Sequence, residues 1–194
     1  MSPIFPFRRS RGPFELAIGM AGVRLGERLL HVGVGDPRLF AALAAKAGLT
    51  GRACAVVDNA GAAAILERAA ADYGVFVEVE TAPSGGWPFS GGSFDIAILD
   101  GNALADAPVT DCQARLSDTL AAIRPGGRAL AIYRAPRTLA ARLGFEPAHR
   151  QPGATAQGLA TLLRQAGLAP VRVLAEREGL VFVEAFRPAD PSVI

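Results

Sequence analysis

Two glycines, a few aspartates and two histidines carry most of the chemistry this sequence can offer. Gly33 and Gly35 end an apolar run, Leu29 to Val34. Asp36 and Pro37 follow, a helix-capping acid and then the helical position where proline loses no hydrogen bond. Leu39, Phe40, Leu43, Ala44 and Ala47 recur at helical spacing, and Gly48 closes the helix. A second apolar run, Ala53 to Val57, ends in Asp58. Such a strand, helix, strand unit sets backbone N–H groups and one carboxylate on the same edge of a parallel sheet, where open α/β sheets bind ligands. Asp58 has little structural purpose beside an apolar turn and reads as a ligand-binding acid. Asp100 and Gly101 stand at the tip of a later apolar run, Phe94 to Leu99.

The remaining candidates each carry two readings. His31 lies inside an apolar strand, where a buried imidazole bonded to backbone competes with a catalytic one. His149, in a long connection, is the better general-base candidate, set against a solvated loop histidine. Tyr133 lines a pocket or closes the core, and Trp87 shields a bound ring or packs under a loop. Arg134 and Arg137 attract an acidic ligand or keep the surface soluble. No residue stands out as the catalytic one, and no spacing suggests a metal site.

Bulk composition narrows the classes. A chain of 194 residues suits one domain with a substantial core. A net charge of +2, with no basic stripe interleaved with aromatics, argues against a nucleic-acid partner. No apolar run approaches the roughly 18 residues of a membrane span. Cys54 and Cys112 read as reduced thiols of a cytoplasmic protein. Arg8, Arg9 and Arg11 before LAIGMAGV faintly suggest an export signal, but Glu15 interrupts the run and no cleavage site follows.

Along the chain, residues 1 to 12 read as an irregular arm, either a tail or an anchor that sets Ile4, Phe5 and Phe7 on a partner or an anionic membrane surface. A short helix spans 13 to 21, and the arm with this helix, 1–25, precedes a single domain, 26–194. A helix covers Ala60 to Tyr73, a third strand Val75 to Val79, and a Gly/Pro/Ser-rich loop Thr81 to Gly92. Phe94 to Leu99 is a strand buried on both faces. A helix from Thr110 to Ile123 leads through the turn RPGG, 124 to 127, into a fifth strand, Arg128 to Tyr133. Residues 134 to 154 form a long connection, a candidate cap over the ligand edge. Thr155 to Gln165 is the last helix. The strands Val171 to Ala175 and Leu180 to Phe186, joined by EREG, must be antiparallel because so short a joint cannot cross over.

Together these pieces make an α/β, Rossmann-like fold: a seven-stranded, mostly parallel sheet ending in an antiparallel hairpin, with helices on both faces. From about Gly26 to Arg187 the chain resembles the class I S-adenosylmethionine-dependent methyltransferases. GERLLHVGVGDP looks like that family's first motif, CAVVDNA its second, WPFSGGSFDIAILDG its loop and fourth strand, and IRPGGRALAIY its fifth-strand motif. The pairing of WPFSGGSFD with IRPGG resembles the small-molecule branch that includes quinone-biosynthesis methyltransferases. The resemblance implies S-adenosylmethionine as cofactor. His31, Gly33, Val34 and Gly35 would lie along it, with Asp58 on both ribose hydroxyls. Asn59 and Ala60 would border the adenine, Ser84 its amino group, and Asp100 and Gly101 the methionine end. The implied activity is methyl transfer to a small molecule.

His31 replaces the acid usual in the first motif, Pro37 its third glycine, and Pro83 and Ser84 stand where an acid often meets the adenine. These departures carry the alternative, a methyltransferase-fold protein that has lost catalysis and serves as a binding or assembly module. A nicotinamide enzyme fits worse. Arg38 takes the sixth place of G-x-G-x-x-G, and Pro37 removes an N–H that a pyrophosphate would use.

Overall fold

The structure, a computed structural model, describes residues 14–82, 86–89, 91–135 and 155–189. The arm 1–12, Pro83, Ser84, Arg137, His149 and most of the connection 134–154 lie outside the described residues. Among the described residues seven strands form one sheet: β1 Arg28–Val32, β2 Arg52–Val57, β3 Glu78–Thr81, β4 Phe94–Asp100, β5 Ile123–Arg134, β6 Val171–Arg177 and β7 Leu180–Phe186. Their order across the sheet is β3-β2-β1-β4-β5-β7-β6. The first five are mutually parallel, and β7 lies antiparallel between β5 and β6.

Helices α1 Glu15–Ala21, α2 Pro37–Ala47 and α3 Ala60–Tyr73 cover one face through Ala17, Ala21, Phe40, Leu43 and Leu66. The short α4 Gly101–Asp106, then α5 Val109–Ala122 and α6 Ala156–Gln165, cover the other through Leu104, Leu116, Leu159 and Leu163. The strands between them are buried on both faces, so β1, β2 and β4 read as near-continuous apolar runs. Caps set the helix starts. Asp36 Oδ1 accepts from Arg38 N at 3.1 Å and Leu39 N at 3.4 Å, Asn59 Oδ1 from Ala62 N at 2.9 Å, and Thr155 Oγ1 from Gly158 N at 3.0 Å.

Three boundaries and one short helix differ most from the sequence reading. The third strand begins at Glu78 rather than Val75, because Val75 and Val77 pack under the α3–β3 turn while an edge strand needs no apolar run. RPGG does not stand outside the fifth strand: β5 starts at Ile123, pairs there with Phe94, bulges, and resumes at Arg128 opposite Ile96. The six-residue α4 went unread because it is too short to show a period. The last hairpin turns on two residues, Glu178 (φ 57°) and Gly179 (φ 74°), so β6 runs on to Arg177. Two positive φ values give the turn whose twist matches its flanking strands.

Candidate functional site

The carboxyl edge of β1 and β4, where the crossovers depart in opposite directions, gathers the sequence-marked residues. Gly33 leaves β1 with φ 89° and donates its N–H to Val56 O at 2.9 Å. A methyl group there would stand 2.9 Å from Asp100 Cβ, so the bare glycine admits the protein's own aspartate. Asp100 Oδ2 accepts from Gly35 N at 2.9 Å, and its Oδ1 caps α4 through Asn102 N at 3.0 Å and Ala103 N at 3.2 Å. One side chain thereby joins the β1–α2 turn to the start of α4. Gly101 has a comparable steric duty, since a Cβ would fall 2.9 Å from Ile132 O on β5. Asn102 pairs with the backbone of Arg134 in both directions, at 2.9 and 2.8 Å.

His31 is buried beneath this turn, stacked on Phe40 with ring centroids 4.8 Å apart. Its Nε2 donates to Val34 O at 3.1 Å, because a carbonyl can only accept. Nδ1 is then the unprotonated nitrogen, buried and without a partner. Burial holds the imidazole pKa below its ordinary 6.5, against weaker upward pulls from the Val34 bond and from Asp100 and Asp36. Below pH about 6.5 the unfolded chain takes up a proton that folded His31 refuses, so stability falls on acidification through that value. We expect His31→Gln to flatten this slope in denaturant titrations at pH 5 to 7. An unchanged slope would place the titration elsewhere. Asp95 acts lower in pH: burial would raise it, yet bonds from Arg28 and Arg124 carry it down to about 2.

Asp58 projects from the tip of β2 with 49% of its side chain exposed, and its Oδ1 receives Arg115 Nη2 from α5. Arg115 is only 14% exposed, and its Nε is buried without a partner. Asp58 Oδ2 has no partner among the described residues, which leaves it able to accept a hydroxyl. Asn59 is occupied as the α3 cap, and Ala60 begins that helix. Arg115 escaped the sequence reading because nothing marks one arginine on a helix flank. Asn102, directly after the Asp-Gly pair, carried a readable signal.

A cleft of about 1400 Å³ opens beside the turn, bordered by His31, Gly35, Asp36, Asp100 and Arg134, and continues along α3 past Ile65 and Arg68. Tyr133 borders the cleft from the core, and Arg134 lies 3.6 Å from Asp36. Gly33, Val34, Asp58, Asn59, Ala60 and Gly101 do not line it. The sequence-marked residues therefore divide: His31, Gly35 and Asp100 border the cleft, Asp58, Asn59 and Ala60 lie at the tip of β2, and Gly33, Val34 and Gly101 belong to the turns after β1 and β4. Trp87 is half-buried against the core, with its indole N–H buried and without a partner among the described residues. Cys54 and Cys112 are free and buried, and burial pushes the Cys54 thiol up to about 12. Among the described residues no group of three or more His, Cys, Asp or Glu is placed to hold a metal ion. No helix among them is long and apolar enough to cross a membrane.

No protein-family model matches the sequence, and no curated protein matches it. Solved structures do. A S-adenosylmethionine-dependent methyltransferase from Aquifex aeolicus superposes with TM-score 0.71 at 17% identity, over 94% of this chain and 93% of its own. A putative O-methyltransferase from Nostoc punctiforme gives 0.69 at 15%, over 87% of this chain and 55% of its own. The [4+2]-cyclase SpnF gives 0.67 at 15%, over 91% and 80%. The last likeness is a reminder that one architecture hosts different reactions. With parallel strands in the order β3-β2-β1-β4-β5, a reversed final pair and these likenesses, the chain has the class I S-adenosylmethionine-dependent methyltransferase fold.

Proposed function

We propose that this protein binds S-adenosylmethionine along the carboxyl edge of its sheet and directs methyl transfer to a small-molecule acceptor in the cytoplasm. The observation that carries the reading is the uncommitted Oδ2 of half-exposed Asp58, one strand away from the Gly33–Gly35 turn. A carboxylate so placed accepts from ribose hydroxyls. Arg115 would hold the other oxygen and fix the rotamer. Asn59 and Ala60 would flank the adenine with backbone and a small side chain, since Asn59 Oδ1 already caps α3. Ser84 is proposed at the adenine amino group. Gly35 offers exposed backbone near the methionine end, where Asp100 acts by positioning that turn.

The cofactor supplies a methyl carbon made electrophilic by its sulfonium. The protein's part is to hold donor and acceptor in line and keep water out. The cleft beside Asn102, Tyr133 and Arg134 is the space left for the acceptor. The likeness of WPFSGGSFD and IRPGG to the quinone-biosynthesis branch supports a small molecule.

Specific contacts favour a second reading, a binding or assembly module without catalysis. Both oxygens of Asp100 are spent within the protein, the space at Gly33 is filled by Asp100, and Asp58 is already paired. Calorimetric titration with S-adenosylmethionine and with S-adenosylhomocysteine decides between them. Saturable heat with both ligands is expected, and none at millimolar ligand would leave the module reading.

A further inference from the structure

The opposite edge of the sheet, where the parallel strands begin, carries features the proposed site does not use. Leu25, Leu49 and Phe76 are 77%, 102% and 82% exposed, among the most exposed large apolar side chains described. They stand on the loops entering β1, β2 and β3, three consecutive strands of the sheet. The first two loops are zipped together: Gly26 N donates to Ala47 O at 2.8 Å, Arg52 N to Glu27 O at 3.3 Å, and a methyl at Gly48 would fall 2.5 Å from Leu25 Cδ1. Phe76 comes level with Arg52 by the parallel register of β2 and β3, in which Cys54 faces Glu78. Adjacent strands lie about 4.8 Å apart, so the three tips fall within roughly 15 Å.

Along this edge, from β3 out to β6, basic side chains outnumber acidic ones by a small margin. Asp95 is shared by Arg28 and Arg124, and Glu184 by Arg128 and Arg172, all at the same edge. The Arg24 guanidinium and the Lys46 ammonium have no carboxylate partner among the described residues, although the Arg24 backbone N–H donates to Glu27 Oε2 at 2.9 Å. Glu27 and Asp72 offset part of this excess, and Arg52 is paired with Glu78. Separate apolar tips set among basic side chains match a surface that accepts single side chains into an apolar layer beneath anionic groups.

We propose that this edge docks on an anionic lipid surface, with Leu25, Leu49 and Phe76 entering the headgroup boundary. The seven residues of β4 span about 20 Å, so docking would turn the carboxyl edge away from the lipid and toward solution. The proposal is independent of the methyl-transfer reading, because it uses none of the same residues.

The test is co-sedimentation of the full chain with phosphatidylcholine vesicles, with and without about 30% phosphatidylglycerol. Binding is expected to the anionic vesicles alone, weakening as salt is raised. The triple variant Leu25→Ser, Leu49→Ser, Phe76→Ser should bind about tenfold less with its thermal unfolding unchanged. Three results would overturn the proposal. One is absence of binding to anionic vesicles. Another is undiminished binding by the triple variant, which would assign the contact to the arm at 1–12. The third is a concentration-dependent dimer that the variant abolishes, which would assign the surface to a second copy.

Discussion

Asp58→Ala should weaken S-adenosylmethionine binding about 10- to 100-fold, the loss expected when a charge-assisted hydrogen bond worth roughly 1.5 to 3 kcal/mol is removed. The substitution also strips Arg115, largely buried on α5, of its carboxylate, so some loss of stability accompanies it. Two further variants separate the effects. Asp58→Asn keeps the shape and an acceptor oxygen while removing the charge. Arg115→Met removes the cation and leaves Asp58 free at both oxygens. If the carboxylate grips the ribose, calorimetry on Arg115→Met retains cofactor binding while Asp58→Ala loses it. Equal affinity in Asp58→Ala and the parent would mean that the sugar lies elsewhere.

Gly33→Ala should be the most damaging single methyl added at the site. The residue sits at φ 89°, where an L side chain is strained, and the new Cβ would meet Asp100 Cβ at 2.9 Å. Asp100 cannot retreat without releasing Gly35 and uncapping α4. Strain and overpacking together are worth about 2 to 4 kcal/mol, or a melting temperature lower by roughly 5 to 15 °C in a chain of this size. Gly74→Ala is the control, with φ 65° and nothing within 4 Å of the added carbon. It bears only the conformational cost, about 1 kcal/mol. Similar melting temperatures for the two variants would show that the close approach of Asp100 does not matter.

Much of the architecture was legible because burial on both faces writes itself into composition. Leu29 to Val32 and Phe94 to Leu99 are apolar runs broken only by His31 and Asp95, Ala53 to Val57 is unbroken, and Asp36-Pro37, Asn59 and Thr155 announce their helices. The edge strand β3 is signalled by Val75 to Val79 but begins three residues later, since its own Glu78 and Glu80 are tolerated where one side has no neighbour among the described residues. At the site, sequence located the tips of β1, β2 and β4 but not what those side chains touch. The family resemblance sets Gly33 along the cofactor, whereas the atom nearest an added Cβ belongs to Asp100. The pairing of Asp58 with Arg115 spans 57 positions, a separation no local pattern encodes.

The last strand among the described residues, β7, is an inner strand of the sheet, seated between β5 and β6. During synthesis, then, one whole rim of β5 offers bare amides and carbonyls until residues 180 to 186 have left the ribosome. An open rim of that kind recruits other chains. A ribosome stalled before Leu180 would release a sticky intermediate, and the cell's holding chaperones would meet this protein through β5 first.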